Sequence, residues 1–306
     1  MTGHGRLAGP VQGTNVQYPA QVRTVSRARR FYKALHVTQH RPNFLVIGAQ
    51  RGGSTWLWQA LRSHPEFFLS SQKEMEFFSY RRNLNKKGWS EYLRHFEPGS
   101  DYRWRGECSP SYLISVDRSS PWFWAKRGFN PRIPEAVREY LGESVRLVVS
   151  LRDPVERAVS ALFHHAAHGR IRRFSGLLKS GRERHIVDAG FYARHLRRWY
   201  EVFPAEQIHV CDFAQIVAQP QRVLDQLAGF FSVAQWPREA VSAPPANTGQ
   251  KTIRLAGLEW PLQSPLTGPF VTDWARRELA EIYAEDRQAL VGLIGRDPFA
   301  LGDQNE

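Results

Sequence analysis

Cysteine is nearly absent: Cys108 and Cys211 are the two thiols in 306 residues, and neither lies in a CxxC pair or near histidine at zinc-finger spacing. That argues against a disulfide scaffold or a structural zinc site and fits a reducing, cytoplasmic setting. No metal is expected. Long apolar runs are also missing: FLVI (44–47) and LVV (147–149) fall far short of the roughly 20 residues that span a bilayer. No transmembrane helix is expected. The N-terminus, MTGHGRLAGPVQGTN, lacks an apolar core, so no secretory leader is expected either. Acidic residues are in deficit, 29 against 42 Lys and Arg, for a net charge of +13. Such a field favours polyanions, whether nucleotide, nucleic acid, acidic glycan or anionic lipid, without choosing among them.

The chain divides into a basic tail, 1–41, and a larger domain, 42–306. Within the tail, Val22, Val25, Ala28, Phe31 and Leu35 fall near helical spacing among Arg23, Arg27, Arg30 and Lys33. This amphipathic basic helix (22–35) has two readings, a foot on an anionic membrane surface or a helix packed on its own domain, and the second is favoured. From Pro42 short apolar strands alternate with helices, the pattern of an α/β fold in which a central, mainly parallel sheet is flanked by helices in three layers. Strands are predicted at Phe44–Ile47, Val145–Leu151 and Ile208–Cys211. Helices are predicted after Asp153, through Tyr192–Phe203, and over Pro220–Phe231 and Asp273–Ile294. Asp153 as cap, Pro154 at the first position and Glu156 at the third make a full start signal. The proline-rich stretch 237–269 reads as a surface excursion.

GAQRGGST (48–55) joins the first strand to a helix with glycines at 48 and 53, the spacing of a phosphate loop, and Gly52 adds freedom for amides to converge on oxygen. The lysine that follows the second glycine in nucleotide triphosphatases is missing; Ser54 and Thr55 stand there, and the cation comes earlier, as Arg51. An anion can still be held, but a principal part of γ-phosphate cleavage is gone. A second anion signal, Arg152 with Ser160 two helical turns along, leaves another strand at the edge where open α/β sheets bind ligands. Two such sites suit a ligand with phosphates at both ends of a ribose.

These residues carry a resemblance. Five ordered segments, GAQRGGSTWLWQALRSHPEF, KEMEFF, GECSPSYL, LRDPVERAVS and FYARHLRRWYEVFPAEQIHV, resemble sulfotransferases that use 3′-phosphoadenosine 5′-phosphosulfate (PAPS), most of all the glycosaminoglycan (heparan sulfate) group and its bacterial relatives. The resemblance implies a P-loop-like fold and PAPS as co-substrate. It places Gln50, Arg51, Gly52, Gly53, Ser54, Thr55 and Trp56 around the 5′-phosphosulfate and Arg152 and Ser160 on the 3′-phosphate. Tyr192 and Trp199 would lie near the cofactor, although a core aromatic stripe explains them equally. The closing loop of the family has no clear match; Lys251 and Arg254 are its substitutes. Glu74 would be the catalytic base with Lys73 as a second cation, Glu76 the competing carboxylate, and Glu107 and Ser109 would line the acceptor cleft. If KEMEFF is a strand, Glu74 and Glu76 face one side and spacing cannot separate them. Heparan-type relatives commonly carry lysine in place of both Arg51 and Cys108.

The implied reaction is in-line sulfuryl transfer to a hydroxyl or amine of a carbohydrate, glycolipid or hydroxylated metabolite. A phosphotransferase and a non-catalytic basic module are the alternatives, and nucleic acid is not the expected partner. Of the histidines, His64 reads as a helix end and His164, His165 and His168 as helix residues, none in the context of a base. Loops 79–104, 118–134 and 237–269 would set acceptor choice; Trp89, Tyr92, Trp104, Trp122 and Trp124 suit sugar stacking, with burial the favoured reading. Oligomeric state is not legible.

Overall fold

The computed structural model describes residues 40–114, 128–168, 170, 185–237, 252–255, 258–261 and 273–300. The 22–35 helix, Trp122, Trp124 and Lys251 lie outside the described residues. The described residues belong to one compact unit, Gln39–Glu306. In chain order its elements are β1 (Phe44–Gly48), α1 (Ser54–Arg62), β2 (Phe67–Leu69), α2 (Lys86–Arg94), β3 (Trp104–Cys108), α3 (Ile133–Leu141), β4 (Arg146–Leu151), α4 (Pro154–Ala167), α5 (Tyr192–Tyr200), β5 (Ile208–Asp212), α6 (Phe213–Ala218), α7 (Pro220–Phe231), β6 (Thr252–Leu255), β7 (Leu258–Pro261) and α8 (Asp273–Ile294).

Five strands form one parallel sheet in the order β2-β3-β1-β4-β5. Phe44 aligns with Gly106 on one side and Arg146 on the other, which makes β1 the central strand. Helices on both faces leave no water-facing side, so Phe44, Leu45, Val46 and Ile47 are all buried and read as a continuous apolar run. Phe44 and Val46 pack with Trp56, Leu57 and Leu61 of α1 and Leu224, Leu227 and Phe231 of α7. Alternation along the strand sends Leu45 and Ile47 to the opposite face. A second cluster joins Ala158, Val159 and Leu162 of α4 to Leu279 and Tyr283 of α8.

The fold thus has the expected parallel sheet between helices. β2 and β3 were not among the predicted strands: one is three residues long, and the other, WRGEC, carries a buried Glu107 that disguises it. The stretch 237–269 is more than an excursion, because its described part holds the antiparallel pair β6–β7, with β6 alongside α4. The predicted caps are present where they matter. Asp153 Oδ1 accepts from the amides of Val155 at 3.0 Å and Glu156 at 3.1 Å. α5 has no side-chain cap of its own. Instead Asp286 of α8 accepts from the amides of Ala193 at 2.9 Å and Arg194 at 3.0 Å. Arg276 pairs with Glu156, and Arg287 lies 3.8 Å from Asp153, so α8 also grips the start of α4.

Candidate active site

All five strands of the parallel sheet end on one edge, and each feeds a segment of the site. The turn after β1 is fixed by Ala49 N donating to Ser150 O at 2.8 Å, Gly52 N to Ala49 O at 3.0 Å, and the Ser150 hydroxyl to Gly52 O. Gly53 has φ 99°, and a Cβ there would stand 2.9 Å from Phe213 Cδ2; one on Gly52 would stand 2.6 Å from Ser150 O. Both positions therefore require glycine. No side chain caps α1, which leaves its first-turn amides for an anion. Ser54 is nearly buried and Thr55 exposed, whereas the Trp56 side chain is turned into the core, so only its backbone is at the loop. Gln50 is exposed at the tip.

Arg51 Nε donates to Ser160 Oγ at 3.2 Å, which brings the loop after β1 and the helix after β4 together. Burial first, and the charge of Arg152 second, hold the Arg51 guanidinium below its ordinary pKa. Burial likewise depresses Arg152, partly offset by Glu156, Tyr192 and Asp153. Two desolvated cations that repel each other mark a place where a bound anion relieves the strain of both. Arg152 lies over the Phe213 ring at 4.9 Å, and the same ring closes against Gly53. Phe213, just after β5, thus touches both the glycine turn and Arg152; no motif in the sequence marked it.

The segment after β2 carries the carboxylates. It is not a strand: Glu74 and Glu76 have φ 61° and 51°, a left-handed conformation that costs on the order of 1–3 kcal/mol for each non-glycine residue. The expectation that parity places them on one side therefore does not apply. Lys73 Nζ donates to Glu74 Oε1 at 2.8 Å, and the Glu74 side chain is exposed. Glu74 N donates to Cys108 O at 2.9 Å and Glu76 N to Ser109 Oγ at 3.0 Å. His164, one turn beyond Ser160, was set aside on sequence grounds but belongs here. Burial first and Arg51 second lower its pKa, and Glu74 acts in the opposite sense, so its ring lies within the field of both.

Glu107, Ser109, Tyr192 and Trp199 are buried rather than open to a ligand. Glu107 and Ser109 are completely buried and turned inward, beneath the cleft rather than along it. Trp199, 1% exposed, stacks on Phe203 at 6.0 Å within the core. Tyr192, also 1% exposed, donates its hydroxyl to Arg152 O at 2.9 Å, so it holds the backbone of a site residue from behind. Arg254 lies in β6, opposite Glu259. Trp89 and Tyr92 are core residues stacked at 5.6 Å, not a sugar platform.

A parallel sheet flanked by helices, with a glycine turn after its central strand and an arginine after the next, defines a P-loop-like domain. The chain belongs to the Sulfotransferase family, whose model matches residues 42–238. It is 25% identical over 209 residues to heparan sulfate glucosamine 3-O-sulfotransferase 5 of Homo sapiens, which covers 64% of this chain and 55% of that protein. It is also 25% identical over 279 residues to bifunctional heparan sulfate N-deacetylase/N-sulfotransferase 1 of Caenorhabditis elegans, covering 85% of this chain and 30% of that one. The match thus spans about half of the human relative. Among solved structures, a sulfotransferase from Alicyclobacillus acidocaldarius superposes with a TM-score of 0.61 at 23% identity, covering 84% of this chain and 97% of that one; this likeness concerns the fold.

Proposed function

We propose that this enzyme transfers a sulfuryl group from PAPS to a hydroxyl or amine of an acceptor, with a carbohydrate favoured over a glycolipid or small metabolite. The single observation that carries the reading is the contact between Arg51 and Ser160 at 3.2 Å, with Arg152 close enough to depress Arg51. Two anion sites so close suit the two ends of one nucleotide and fit no isolated phosphate turn. Family membership and the carbohydrate named for the human relative support the same reading.

The residues fit the donor. The turn 50–56, with Arg51 and the amides at the start of α1, would hold the 5′-phosphosulfate, and Arg152 and Ser160 the 3′-phosphate. When bound, the donor supplies an activated sulfuryl group whose bond to phosphate oxygen breaks as a bond to the acceptor forms, leaving adenosine 3′,5′-bisphosphate. Glu74 takes the acceptor proton. Arg51, Lys73 and the loop amides stabilise the charge that grows on the leaving oxygen, so they bind the transition state better than the ground state. A guanidinium at position 51 stays charged throughout and acts as an electrostatic partner rather than a proton donor.

A phosphotransferase fits less well, since no lysine follows Gly53. Among the described residues no helix is long and apolar enough to cross a membrane, and no cluster of His, Cys, Asp and Glu is arranged to hold a metal ion. A cytoplasmic location, with or without membrane contact through 22–35, is part of the proposal. The test is transfer of labelled sulfate from PAPS into a panel of glycans, glycolipids and hydroxylated metabolites, with the product identified by mass. Release of bisphosphate with labelled acceptor, independent of ATP and magnesium, is expected. Turnover that needs ATP and magnesium sinks the reading.

A further inference from the structure

Glu107 is a carboxylate with no exposed surface, and its partners are three hydroxyls rather than a cation. Ser109 Oγ donates to Oε2 at 2.6 Å; Tyr112 OH at 2.5 Å and Tyr92 OH at 3.2 Å donate to Oε1. A hydroxyl whose proton is committed to a carboxylate turns its lone pairs elsewhere. Here two of them turn toward the segment that carries the proposed base. Ser109 Oγ accepts from Glu76 N at 3.0 Å, and Tyr112 OH accepts from Phe78 N at 3.4 Å. Glu74 N completes the series on Cys108 O. Every second amide from 74 to 78 is therefore anchored on the end of β3 or the turn that follows it, across the two left-handed residues Glu74 and Glu76.

We infer that Glu107 is a positioning residue: through Ser109 and Tyr112 it holds the backbone of residues 74–78 in the conformation that presents Glu74 to the acceptor. The amide anchors require both hydroxyls to point their protons at Glu107, whose two oxygens have lone pairs enough to accept from all three donors. A glutamine in its place would offer one acceptor and one donor, so its amide nitrogen would face Ser109 and reverse that bond. A buried carboxyl is an expensive way to stabilise a core, and an apolar residue would fill the space; the acceptor pattern is what an apolar residue lacks. Burial first, with a smaller push from the charge of Glu76, raises the Glu107 pKa to about 7 against the opposing pull of the three hydroxyls.

The catalytic arm of this inference rests on Glu74 being the base; the structural arm does not. In the full-length Glu107→Gln protein, amide hydrogen exchange across residues 73–80 is expected to quicken while the strands of the core keep their protection. kcat should fall roughly 10- to 100-fold, the scale of a lost charge-assisted hydrogen bond, with the affinity for adenosine 3′,5′-bisphosphate unchanged. Should Glu107→Gln fail to fold, Ser109→Ala and Tyr112→Phe each remove one relay and should loosen residues 73–80 in the same way. Adding Ser109→Ala to Glu107→Gln should lower kcat by less than the product of the single effects. Unchanged exchange at 73–80 in all three variants overturns the inference, as does an equal loss of bisphosphate binding and kcat. If the wild-type chain transfers no sulfate at all, the functional proposal fails, while the exchange measurement still decides the role of Glu107.

Discussion

Arg51 Nε and Ser160 Oγ meet at 3.2 Å, one from the turn after β1 and the other from the helix after β4. This contact joins two segments, proposed above to bind the two ends of one anion, that lie 109 positions apart in sequence. It is also the weak point of the site, because the cation at the contact is already destabilised, by burial first and by Arg152 second.

Replacing Arg51 by alanine should lower kcat by about 10² to 10³, as for other removed donors to a developing oxyanion. Arg51→Lys should recover part of this, since charge returns but the fixed fork does not. Steady-state kinetics on both variants checks the expectation; an alanine variant with wild-type kcat removes Arg51 from the mechanism.

Arg152→Ala should act on binding more than on turnover. Losing one charged hydrogen-bonding partner of a phosphate should weaken adenosine 3′,5′-bisphosphate roughly 10- to 100-fold. Titration calorimetry reads this directly, and adenosine 5′-phosphate, which lacks the 3′ group, should show little difference between wild type and variant. Equal weakening of both ligands would assign Arg152 to the other end.

Glu74→Gln should reduce kcat by about 10² to 10⁴, the range for a general base, and should leave bisphosphate binding intact. Glu76→Gln should keep most of the activity. The opposite ranking of the two variants in a single-turnover assay would move the base to Glu76.

Gly53→Ala tests the turn itself. The added methyl meets Phe213 at 2.9 Å on a backbone with φ 99°, and the left-handed conformation alone costs about 1–3 kcal/mol. A lower denaturation midpoint together with weaker bisphosphate binding is expected; a variant of wild-type stability and affinity would show that the turn relaxes freely.

The pH dependence of stability follows from three buried groups. Burial lowers His195 to about 3 and His209 to about 4, from an ordinary value of 6.5, so both are neutral when folded and take up protons on unfolding. Glu107, raised to about 7 from 4.5, has the opposite sign: it holds a proton in the folded state that the unfolded chain releases. Between pH 4.5 and 6.5 the histidines outnumber the carboxyl, the unfolded state binds more protons, and stability falls as the solution is acidified. Urea midpoints measured across that window should decline toward acid; a rise would reverse the assignment.

The features that could be read before folding were those with a local physical cause. The apolar run at Phe44, the glycines at 52 and 53 and the Asp153-Pro154 cap each dictate their own backbone, and helices Pro220–Phe231 and Asp273–Ile294 follow from their periodicity. What could not be read depends on partners distant in sequence. Glu107 looks like a surface charge until Tyr92 and Tyr112 surround it, and KEMEFF looks like an edge strand until Cys108, Ser109 and Tyr112 take its amides. Phe213 has no motif; its role comes from the Gly53 and Arg152 that β1 and β4 bring to it. Tyr192 and Trp199 share a helical face, but that face meets the core, and periodicity alone does not say which surface lies opposite.

Asp286 lies well past residue 238, where the match to the family ends. A fragment trimmed at that point would retain Arg51, Glu74, Arg152 and Ser160, yet α5 would lose the carboxylate that caps it and α4 the two arginines that brace its first turn. The part of this chain most easily discarded as an appendage is, by this geometry, the brace on the helix that carries Ser160.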